Sequence, residues 1–308
     1  MYRRCPITAD NITPSLNVKQ GKIIKGVGGF YTVMEVDGNL CVCKARGLFR
    51  KNGEVPLPGD NVEFSIDKKG GGYLMRILPR RNALLRPAVT NVDKLLIVIS
   101  AKEPEPDYEL ADKLLLYCAK LDIEPVLVVN KCDEGECEAS VEAVKQYGNI
   151  AVVPVSAVSG YGMDVLEGLL TGSTICLAGQ SAVGKTSLIN SLLGLSLETG
   201  GLSQKTERGR HTTRHAELLK MKNGGLIADT PGFSMLETLP LEPEEIPRMY
   251  PEFKAYEGCC RFIGCMHISE PECAVKAAVL DGAIPKERYE RYKKLANEAL
   301  EARRHKYD

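Results

Sequence analysis

The sequence has no excess of charge of either sign and no long hydrophobic run. Lys plus Arg and Asp plus Glu number 40 each in 308 residues, so no overall basic field attracts nucleic acid, and any such contact requires local basic patches. The longest strongly apolar stretch, residues 95–101, is far shorter than the roughly 20 residues that cross a bilayer. The charged first residues precede no apolar segment, so a signal peptide is not expected. We expect a cytoplasmic protein without membrane contact, and we expect a monomer.

The sequence also has no internal repeat and no low-complexity segment; instead, three zones differ in pattern. Residues 1–80 carry short alternating runs between glycine turns, which predicts an all-β barrel or sandwich, and a small barrel of about five strands fits this length. Over residues 81–240, continuous apolar runs alternate with helix-like stretches, which predicts a doubly wound α/β domain. The helix-like stretches are 107–121, 138–147, 163–170 and 185–194. Residues 241–308 contain prolines, a cysteine cluster and a charged helical pattern, which predicts a third, mostly helical domain.

The strongest chemical signal is the glycine-rich segment GQSAVGKT at residues 179–186. It follows an apolar strand and opens a helix, which is the context of a phosphate-binding loop whose amide groups cradle phosphate oxygens. Lys185 is expected to reach the β- and γ-phosphates, and Thr186 to supply a hydroxyl to Mg²⁺. A plain glycine turn before a helix is the competing interpretation. The predicted nucleotide contacts in this segment are Gly179, Gln180, Ser181, Ala182, Val183, Gly184, Lys185, Thr186 and Ser187.

The motif NKCD at residues 130–133 indicates guanine as the base. The Asp133 carboxylate offers two acceptors to the N1–H and 2-amino donors of guanine, which adenine lacks. Asn130 is expected to brace the base and the loop, and the stem of Lys131 to lie on the ring face. The segment Ser156–Ala157 has the form of a backbone contact to guanine O6, although a helix-capping serine explains it equally well. The predicted guanine contacts are Asn130, Lys131, Cys132, Asp133, Ser156 and Ala157.

The motif DTPG at residues 229–232 is typical of a switch that senses the γ-phosphate. Asp229 is expected to hold Mg²⁺ through water, and the Gly232 amide to contact the γ-phosphate. In GRHTT at residues 209–213, either Thr212 or Thr213 is expected to complete the magnesium shell, with Thr213 slightly favoured; a solvated basic loop is the alternative. The base motif precedes the phosphate loop along the chain, so we predict a circular permutation of the common GTPase order.

The residue after the switch glycine is Phe233, which cannot orient water as the glutamine of Ras-like enzymes does. Intrinsic hydrolysis is therefore expected to be slow. His211 is the local candidate for a catalytic group, because it lies beside the switch threonines and can hydrogen-bond water. An equally open alternative is that His211 contacts phosphate or RNA.

Eleven cysteines without a secretory signal indicate reduced thiols or metal ligands rather than a disulfide framework. Three thiolates and one imidazole, at Cys260, Cys265, His267 and Cys273, make a closed tetrahedral shell for one structural Zn²⁺. Cys259 is an alternative ligand, and reactive or buried thiols are the competing interpretation.

Basic residues gather locally despite the neutral total. Each cluster alone is usual for a solvated surface, but beside a small barrel the clusters indicate RNA binding. The clusters comprise Arg46, Arg50, Lys51, Arg80, Arg81, Lys205, Arg208, Arg210, Arg214, His215, Arg303, Arg304 and Lys306.

Over nearly its whole length the chain resembles the bacterial ribosome small subunit-dependent GTPase A family. The segments GGFYTV, CKARGLFRK, PLPGDNVEF, NKCD, SA, GQSAVGKTS, GRHTT, DTPGF and the Cys/Cys/His/Cys cluster occur in the order of that family. The resemblance implies an OB-fold barrel, a circularly permuted GTPase domain and a zinc-binding helical domain. It implies GTP hydrolysis in late maturation of the small (30S) ribosomal subunit, binding of its rRNA, and stimulation by the subunit.

The resemblance also implies that His211 is catalytic and that Cys260, Cys265, His267 and Cys273 are the zinc ligands. One departure is Ala182, where the family usually has glycine; its methyl group is expected to be tolerated if φ is negative. Three alternatives remain: a GTP-regulated RNA-binding scaffold, a permuted GTPase of another ribosomal particle and, ranked last, an ATP-dependent kinase.

Overall fold

A computed structural model describes residues 18–45, 49, 54–67, 70–133, 137–147, 150–195, 216–229 and 241–305. The chain divides into two compact units, Met1–Pro79 and Arg80–Asp308. The three domains predicted from the sequence, with boundaries at residues 80 and 240, stay a prediction. Among the described residues, no helix is both long enough and apolar enough to span a bilayer.

The first unit contains a closed barrel. Its strands are β1 (Val18–Val27), β2 (Phe30–Glu35), β3 (Leu40–Ala45), β4 (Asn61–Ile66) and β5 (Gly72–Ile77). Strand β1 pairs with both β2 and β4, β2 pairs with β3, and β5 joins β3 to β4, so every strand has two neighbours. Alternate side chains such as Ile23, Val33 and Phe64 fill the interior. The predicted five-stranded barrel is confirmed.

The second unit begins with a short hairpin, β6 (Ala83–Leu84) and β7 (Val89–Thr90), and contains a mostly parallel sheet. The strands of that sheet are β8 (Lys94–Ser100), β9 (Glu124–Asn130), β10 (Ala151–Pro154), β11 (Thr174–Ala178), β12 (Glu217–Lys220) and β13 (Leu226–Asp229). Their spatial order is β10-β9-β8-β11-β13-β12, and only β12 runs antiparallel to its neighbour within this set. The continuous apolar runs are therefore strands covered on both faces, as the sequence predicts.

The helix-like stretches of the α/β zone form helices within one residue of the predicted bounds. These are α1 (Tyr108–Leu121), α2 (Glu138–Gln146), α3 (Met163–Leu169) and α4 (Lys185–Leu193). Helix α1 begins at an aspartate cap, because the Asp107 carboxylate accepts a hydrogen bond from the Leu110 amide at 2.9 Å. Helices and sheet enclose one apolar core that includes Leu96, Val128 and Leu188.

The C-terminal part is helical and packs around aromatic rings. Its elements are the 3₁₀ helices η1 (Pro243–Met249) and η2 (Pro251–Tyr256) and the helices α5 (Ala274–Leu280) and α6 (Lys286–His305). Prolines begin both 3₁₀ helices, where their missing N–H costs nothing. Tyr292 of α6 meets Tyr250 and Phe253 edge to face, with ring centroids 5.1 and 4.7 Å apart. The predicted mostly helical C-terminal zone is confirmed.

A buried ionic cluster joins helix α6 to helix α1. The Asp112 side chain is fully buried and accepts from Arg288 Nη1, from Arg291 Nε at 2.7 Å and from the Tyr147 hydroxyl. Arg288 also donates to Glu252 Oε1 at 2.6 Å. Because a buried charge is stable only when it is paired, this cluster holds the two helices in one arrangement.

Candidate nucleotide site and metal-ligand cluster

The phosphate loop and the base motif lie at the same edge of the parallel sheet. The loop leaves the carboxyl end of β11, and the motif leaves the carboxyl end of β9, with β8 between them. The two segments touch directly: Asn130 Nδ2 donates to the Val183 carbonyl at 2.9 Å, and Lys131 Nζ donates to the Ala182 carbonyl at 2.8 Å. This edge is where parallel α/β sheets bind ligands, so both motifs face one site.

The phosphate loop has the backbone shape that its glycines permit. Gly179 has φ +140°, and a Cβ there would lie 2.2 Å from the Val98 carbonyl oxygen. Gly184 has φ +90°, and a Cβ there would lie 2.3 Å from Asn130 Nδ2. No other residue type fits either position without a shift of its neighbours. Helix α4 then begins at Lys185 without a side-chain cap, so its first amides are available to an anion.

Lys185 lies inside the loop it follows. Its Nζ donates to the carbonyl oxygens of Gly179 at 2.8 Å and Gln180 at 2.6 Å. Burial lowers the pKa of Lys185 from its ordinary value, because desolvation penalises the ammonium form. An anionic group in the loop would favour the charged form of Lys185 again.

Ala182 does not meet the condition under which its methyl group was expected to be tolerated. Its φ is +64°, in the left-handed region. A residue with a Cβ loses roughly 1–2 kcal/mol in that conformation, so the loop is strained here. Lys131 donates a hydrogen bond to the carbonyl of the strained residue itself, and Asn130 donates one to the carbonyl of the next residue, Val183. These two bonds hold the loop in a shape that the alanine disfavours.

The base motif is organised by contacts to the segment after β10. Asn130 is buried, and its Oδ1 accepts from the Ala157 amide at 3.2 Å. The Ser156 hydroxyl donates to Asp133 Oδ1 at 2.6 Å and accepts from the Ser159 amide at 3.1 Å. Ser156 therefore caps a turn and also orients the carboxylate. Sequence reasoning left two interpretations open, a backbone contact to guanine O6 and a capping serine. It missed the hydrogen bond to Asp133, because nothing in the dipeptide links the two residues.

Two further contacts at this edge were not foreseen from the sequence. Gln180 Oε1 accepts from the Asp107 amide at 3.0 Å, which connects the phosphate loop to the start of α1. Cys132 and Cys137 place their sulfur atoms 2.8 Å apart. The close spacing of Cys132 and Cys137 in the sequence was a signal for the contact between their sulfurs. No sequence signal indicated the contact between Gln180 and Asp107.

Several predicted site residues lie outside the described residues. They are His211, Thr212, Thr213 and Gly232, and Phe233, which follows the switch glycine, lies outside them too. Asp229 ends strand β13, and the structure describes its backbone but not its side chain. The same holds for His305 at the end of helix α6. Thr186 and Ser187 lie in the first turn of helix α4.

The basic clusters differ in what the structure describes. Arg46, Arg50 and Lys51, the cluster at residues 205–215, and Lys306 lie outside the described residues. Arg81 donates to Asp93 Oδ1 at 2.9 Å, and Arg303 forms an ion pair with Glu244. These two arginines are therefore engaged within the protein.

The predicted zinc ligands come together in the C-terminal part. The ligand atoms of Cys260, Cys265, His267 and Cys273 all lie within 4.8 Å of one another. Two of the sulfurs, those of Cys260 and Cys273, are 3.9 Å apart. Thiolates on a tetrahedral zinc ion with bonds of about 2.3 Å lie at about this separation, so the cluster fits such an ion. Cys259, the alternative ligand, is exposed, and its thiol points to the Glu257 carbonyl.

An acidic side chain shapes the turn that carries the histidine ligand. Glu270 accepts from the backbone amides of Met266, Ile268 and Ser269 at 2.7, 2.9 and 3.1 Å. Burial alone would raise the pKa of Glu270, but these hydrogen bonds outweigh it and lower the pKa. Burial also lowers the pKa of His267, which favours the neutral imidazole that a metal requires. The cluster is therefore preorganised to hold a metal ion.

The sheet order and the two motifs at its edge define a circularly permuted P-loop GTPase fold, in which the base motif precedes the phosphate loop. The chain belongs to the RsgA GTPase family. The RsgA GTPase family model matches residues 77–239, and the RsgA N-terminal domain model matches residues 20–74. The resemblance described from the sequence is confirmed.

The relatives support the same assignment over most of the chain. A small ribosomal subunit biogenesis GTPase RsgA from Ruminiclostridium cellulolyticum is 46% identical over 278 residues, which cover 88% of this chain and 91% of the relative. The crystal structure of YjeQ from Thermotoga maritima matches with a TM-score of 0.80 and 36% identity, covering 92% of this chain and 99% of that one. The structure of YloQ, a circularly permuted GTPase, matches with a TM-score of 0.78 and 35% identity, covering 92% and 96%. The predicted permutation is confirmed.

Proposed function

We propose that this chain binds and hydrolyses GTP and acts in biogenesis of the small ribosomal subunit, the activity stated in its relatives' name. The observation that carries the proposal is the direct contact between the base motif and the phosphate loop. Asn130 and Lys131 donate to the carbonyls of Val183 and Ala182, so a nucleotide held by Lys185 extends toward Asp133. One site thus holds both the phosphates and the base.

In this proposal Asp133 reads the guanine N1–H and 2-amino groups, and Ser156 orients its carboxylate. The Ala157 amide donates to Asn130 Oδ1 in the structure, and in this proposal it turns to guanine O6 when the base binds. Discrimination is strong at such a site because adenine lacks the two donors and would leave the Asp133 carboxylate unpaired beneath the base.

The phosphate chemistry uses the loop amides, Lys185 and Mg²⁺. Thr186 supplies a hydroxyl to the ion, Asp229 holds it through water, and Thr213 completes the shell in the GTP-bound state. The Gly232 amide contacts the γ-phosphate, and His211 acts on the attacking water. These five roles are proposals from the motifs and from the family.

The Cys/His cluster is proposed to hold one structural Zn²⁺. Its three sulfurs and one nitrogen leave no open position, so the ion shapes the fold and takes no part in hydrolysis. The protein is proposed to act as a monomer in the cytoplasm.

The barrel offers a surface for single-stranded rRNA. On its outer face Phe30 pairs with Lys44 across strands β2 and β3, and Lys44 pairs with Tyr73 across β3 and β5. The Lys44 ammonium lies 5.3 Å from the centre of the Phe30 ring, and this phenylalanine is 49% exposed. An exposed ring beside a cation is suited to stack a base and hold its phosphate.

The test is GTP hydrolysis by the zinc-loaded protein with and without purified small subunits, repeated with large subunits. Stimulation by small subunits alone is expected. If the protein binds small subunits only in the presence of GTP and the subunits do not stimulate hydrolysis, the RNA-binding scaffold is favoured instead.

The same assay on Asp133→Asn tests the site. The variant is expected to lose at least about 100-fold in GTP affinity and to gain activity with xanthosine triphosphate, because the amide matches xanthine. Asp122→Asn, at the exposed left-handed end of α1, is the matched control and is expected to behave as wild type. Equal GTP affinity of Asp133→Asn and wild type would contradict the proposal.

A further inference from the structure

Two thiols meet beside the base motif. Cys132 is the third residue of that motif and is 2% exposed, and Cys137 is the partly exposed residue that precedes helix α2. Their sulfur atoms are 2.8 Å apart. The sulfurs of Cys41 and Cys43 in the barrel, by comparison, are 3.9 Å apart. The pair beside the base motif is therefore closer to bonding distance than the pair in the barrel.

The surroundings of the pair suit a disulfide better than a metal. In the described part of the chain, the only group of three or more metal ligands is the cluster around His267. Asp133, the carboxylate that follows Cys132, is engaged by the Ser156 hydroxyl. A disulfide bond is about 2.05 Å long, so the two sulfurs need to approach by less than about 1 Å.

We propose that Cys132 and Cys137 form a reversible disulfide with low-molecular-weight disulfides as the oxidant. The partly exposed Cys137 sulfur attacks the reagent, the S–S bond of the reagent breaks, and one thiol leaves with the proton that Cys137 gave up. The Cys132 sulfur then attacks the mixed disulfide at Cys137, and the second thiol leaves with the proton of Cys132. Two protein thiols are oxidised, and one reagent disulfide is reduced to two thiols.

The order of these steps follows from exposure. Burial raises the pKa of Cys132 to about 12, so this thiol reacts poorly with reagents in solution. Its proximity to Cys137 favours the intramolecular step instead. An excess of reducing thiol reverses both steps.

The disulfide would cross-link the segment that carries Asp133. The Cys132 amide already donates to the Val155 carbonyl at 3.0 Å, and its thiol to the Val129 carbonyl at 3.4 Å. A link to Cys137 ties the other side of Asp133 to the start of α2, so the carboxylate is held from both directions. This consequence rests on the proposed guanine site: a base leaving past Asp133 requires that segment to open, and the cross-link is expected to slow its release.

The first experiment detects the bond. Full-length, zinc-loaded protein is incubated with oxidised glutathione, then analysed by intact mass and by peptide mapping. The expected result is loss of two hydrogen atoms and a peptide pair joining Cys132 to Cys137, both reversed by dithiothreitol. Cys137→Ser is expected to lack the cross-link, and Cys41→Ser, which removes a thiol in the barrel, is expected to form it as wild type does. Free thiols at both positions, or separate glutathione adducts on each, would overturn the proposal.

The second experiment measures release of a fluorescent GDP analogue from the oxidised and reduced forms. Release is expected to be slower by about threefold or more after oxidation, and unchanged by the oxidant in Cys137→Ser. Equal or faster release from the cross-linked protein would overturn the effect on the nucleotide. A cross-linked protein that binds no guanine nucleotide in either form would overturn the proposed function while supporting the disulfide.

Discussion

The nucleotide site and the Cys/His cluster are built differently along the chain. The cluster takes its ligands from one short segment, residues 260–273, and Glu270 within that segment shapes the turn. The nucleotide site joins segments that are far apart, because Asn130 contacts Val183 and Asp133 contacts Ser156. A local cluster can depend on a bound ion for its shape, whereas the nucleotide site depends on the sheet that aligns its loops.

The difference predicts that metal removal affects the two regions unequally. Structural zinc contributes roughly 10 kcal/mol or more of apparent binding free energy in small metal-dependent folds. Chelation, or Cys265→Ser, is therefore expected to lower the stability of the C-terminal part strongly while the barrel stays folded. Zinc content and a thermal unfolding scan check this. Cys259→Ser, beside the cluster, is the control and is expected to keep its zinc; zinc loss from that variant and retention by Cys265→Ser would reverse the ligand assignment.

A substitution of Asp112 tests whether the ionic cluster holds helix α1 of the α/β zone to helix α6 of the C-terminal part. Asp112→Ala leaves Arg288 and Arg291 without their buried partner, so we expect a loss of about 3–5 kcal/mol in the free energy of unfolding. Denaturant unfolding of the zinc-loaded protein measures it. Asp164→Ala, at an exposed position of α3, is expected to change little. A loss below about 1 kcal/mol for Asp112→Ala would show that α1 and α6 are held by their apolar contacts instead.

A substitution of Glu270 tests whether the Cys/His cluster is preorganised to hold its metal ion. Glu270→Gln keeps the shape of the side chain but removes the charge that attracts three backbone amides. Changes next to metal ligands typically cost about 10–100-fold in metal affinity, and we expect a loss in that range. Competition with a chromophoric chelator measures it. The exposed Glu257→Gln is the matched control, and equal zinc affinity of the two variants would argue against preorganisation by Glu270.

Ala182 gives the smallest effect and concerns the nucleotide site. Ala182→Gly relieves roughly 1–2 kcal/mol of left-handed strain but adds backbone entropy to the unfolded chain, so a net gain of about 0.5–1 kcal/mol is expected. Ala228→Gly, in strand β13, is the control and is expected to lower stability, because glycine weakens strands. Unfolding midpoints of both variants decide it. Destabilisation by Ala182→Gly would contradict the interpretation that the positive φ of Ala182 strains the loop.

Much of the fold was predictable from the sequence because it rests on local patterns. The helices of the α/β zone follow the apolar periodicity to within a residue at each end, and continuous apolar runs identified the buried strands. The phosphate loop, the base motif and the four ligands of the cluster were each recognisable by spacing. What the sequence could not show was which side chains support them. The contact between Ser156 and Asp133 and the cluster around Asp112 have no sequence pattern.

The sequence by itself determined the family, the strands and helices of the α/β zone, and the residues predicted to meet a nucleotide or a metal. Composition, periodicity and motif spacing are properties of residues close together in the sequence, so they can be recognised without a structure. Only the tertiary structure decided that Ala182 has a positive φ, that Cys132 touches Cys137 and that Asp112 is paired with two arginines. These features depend on burial, on strand order and on the paths of loops. No pattern of neighbouring residues encodes them, because they arise only when the elements pack together.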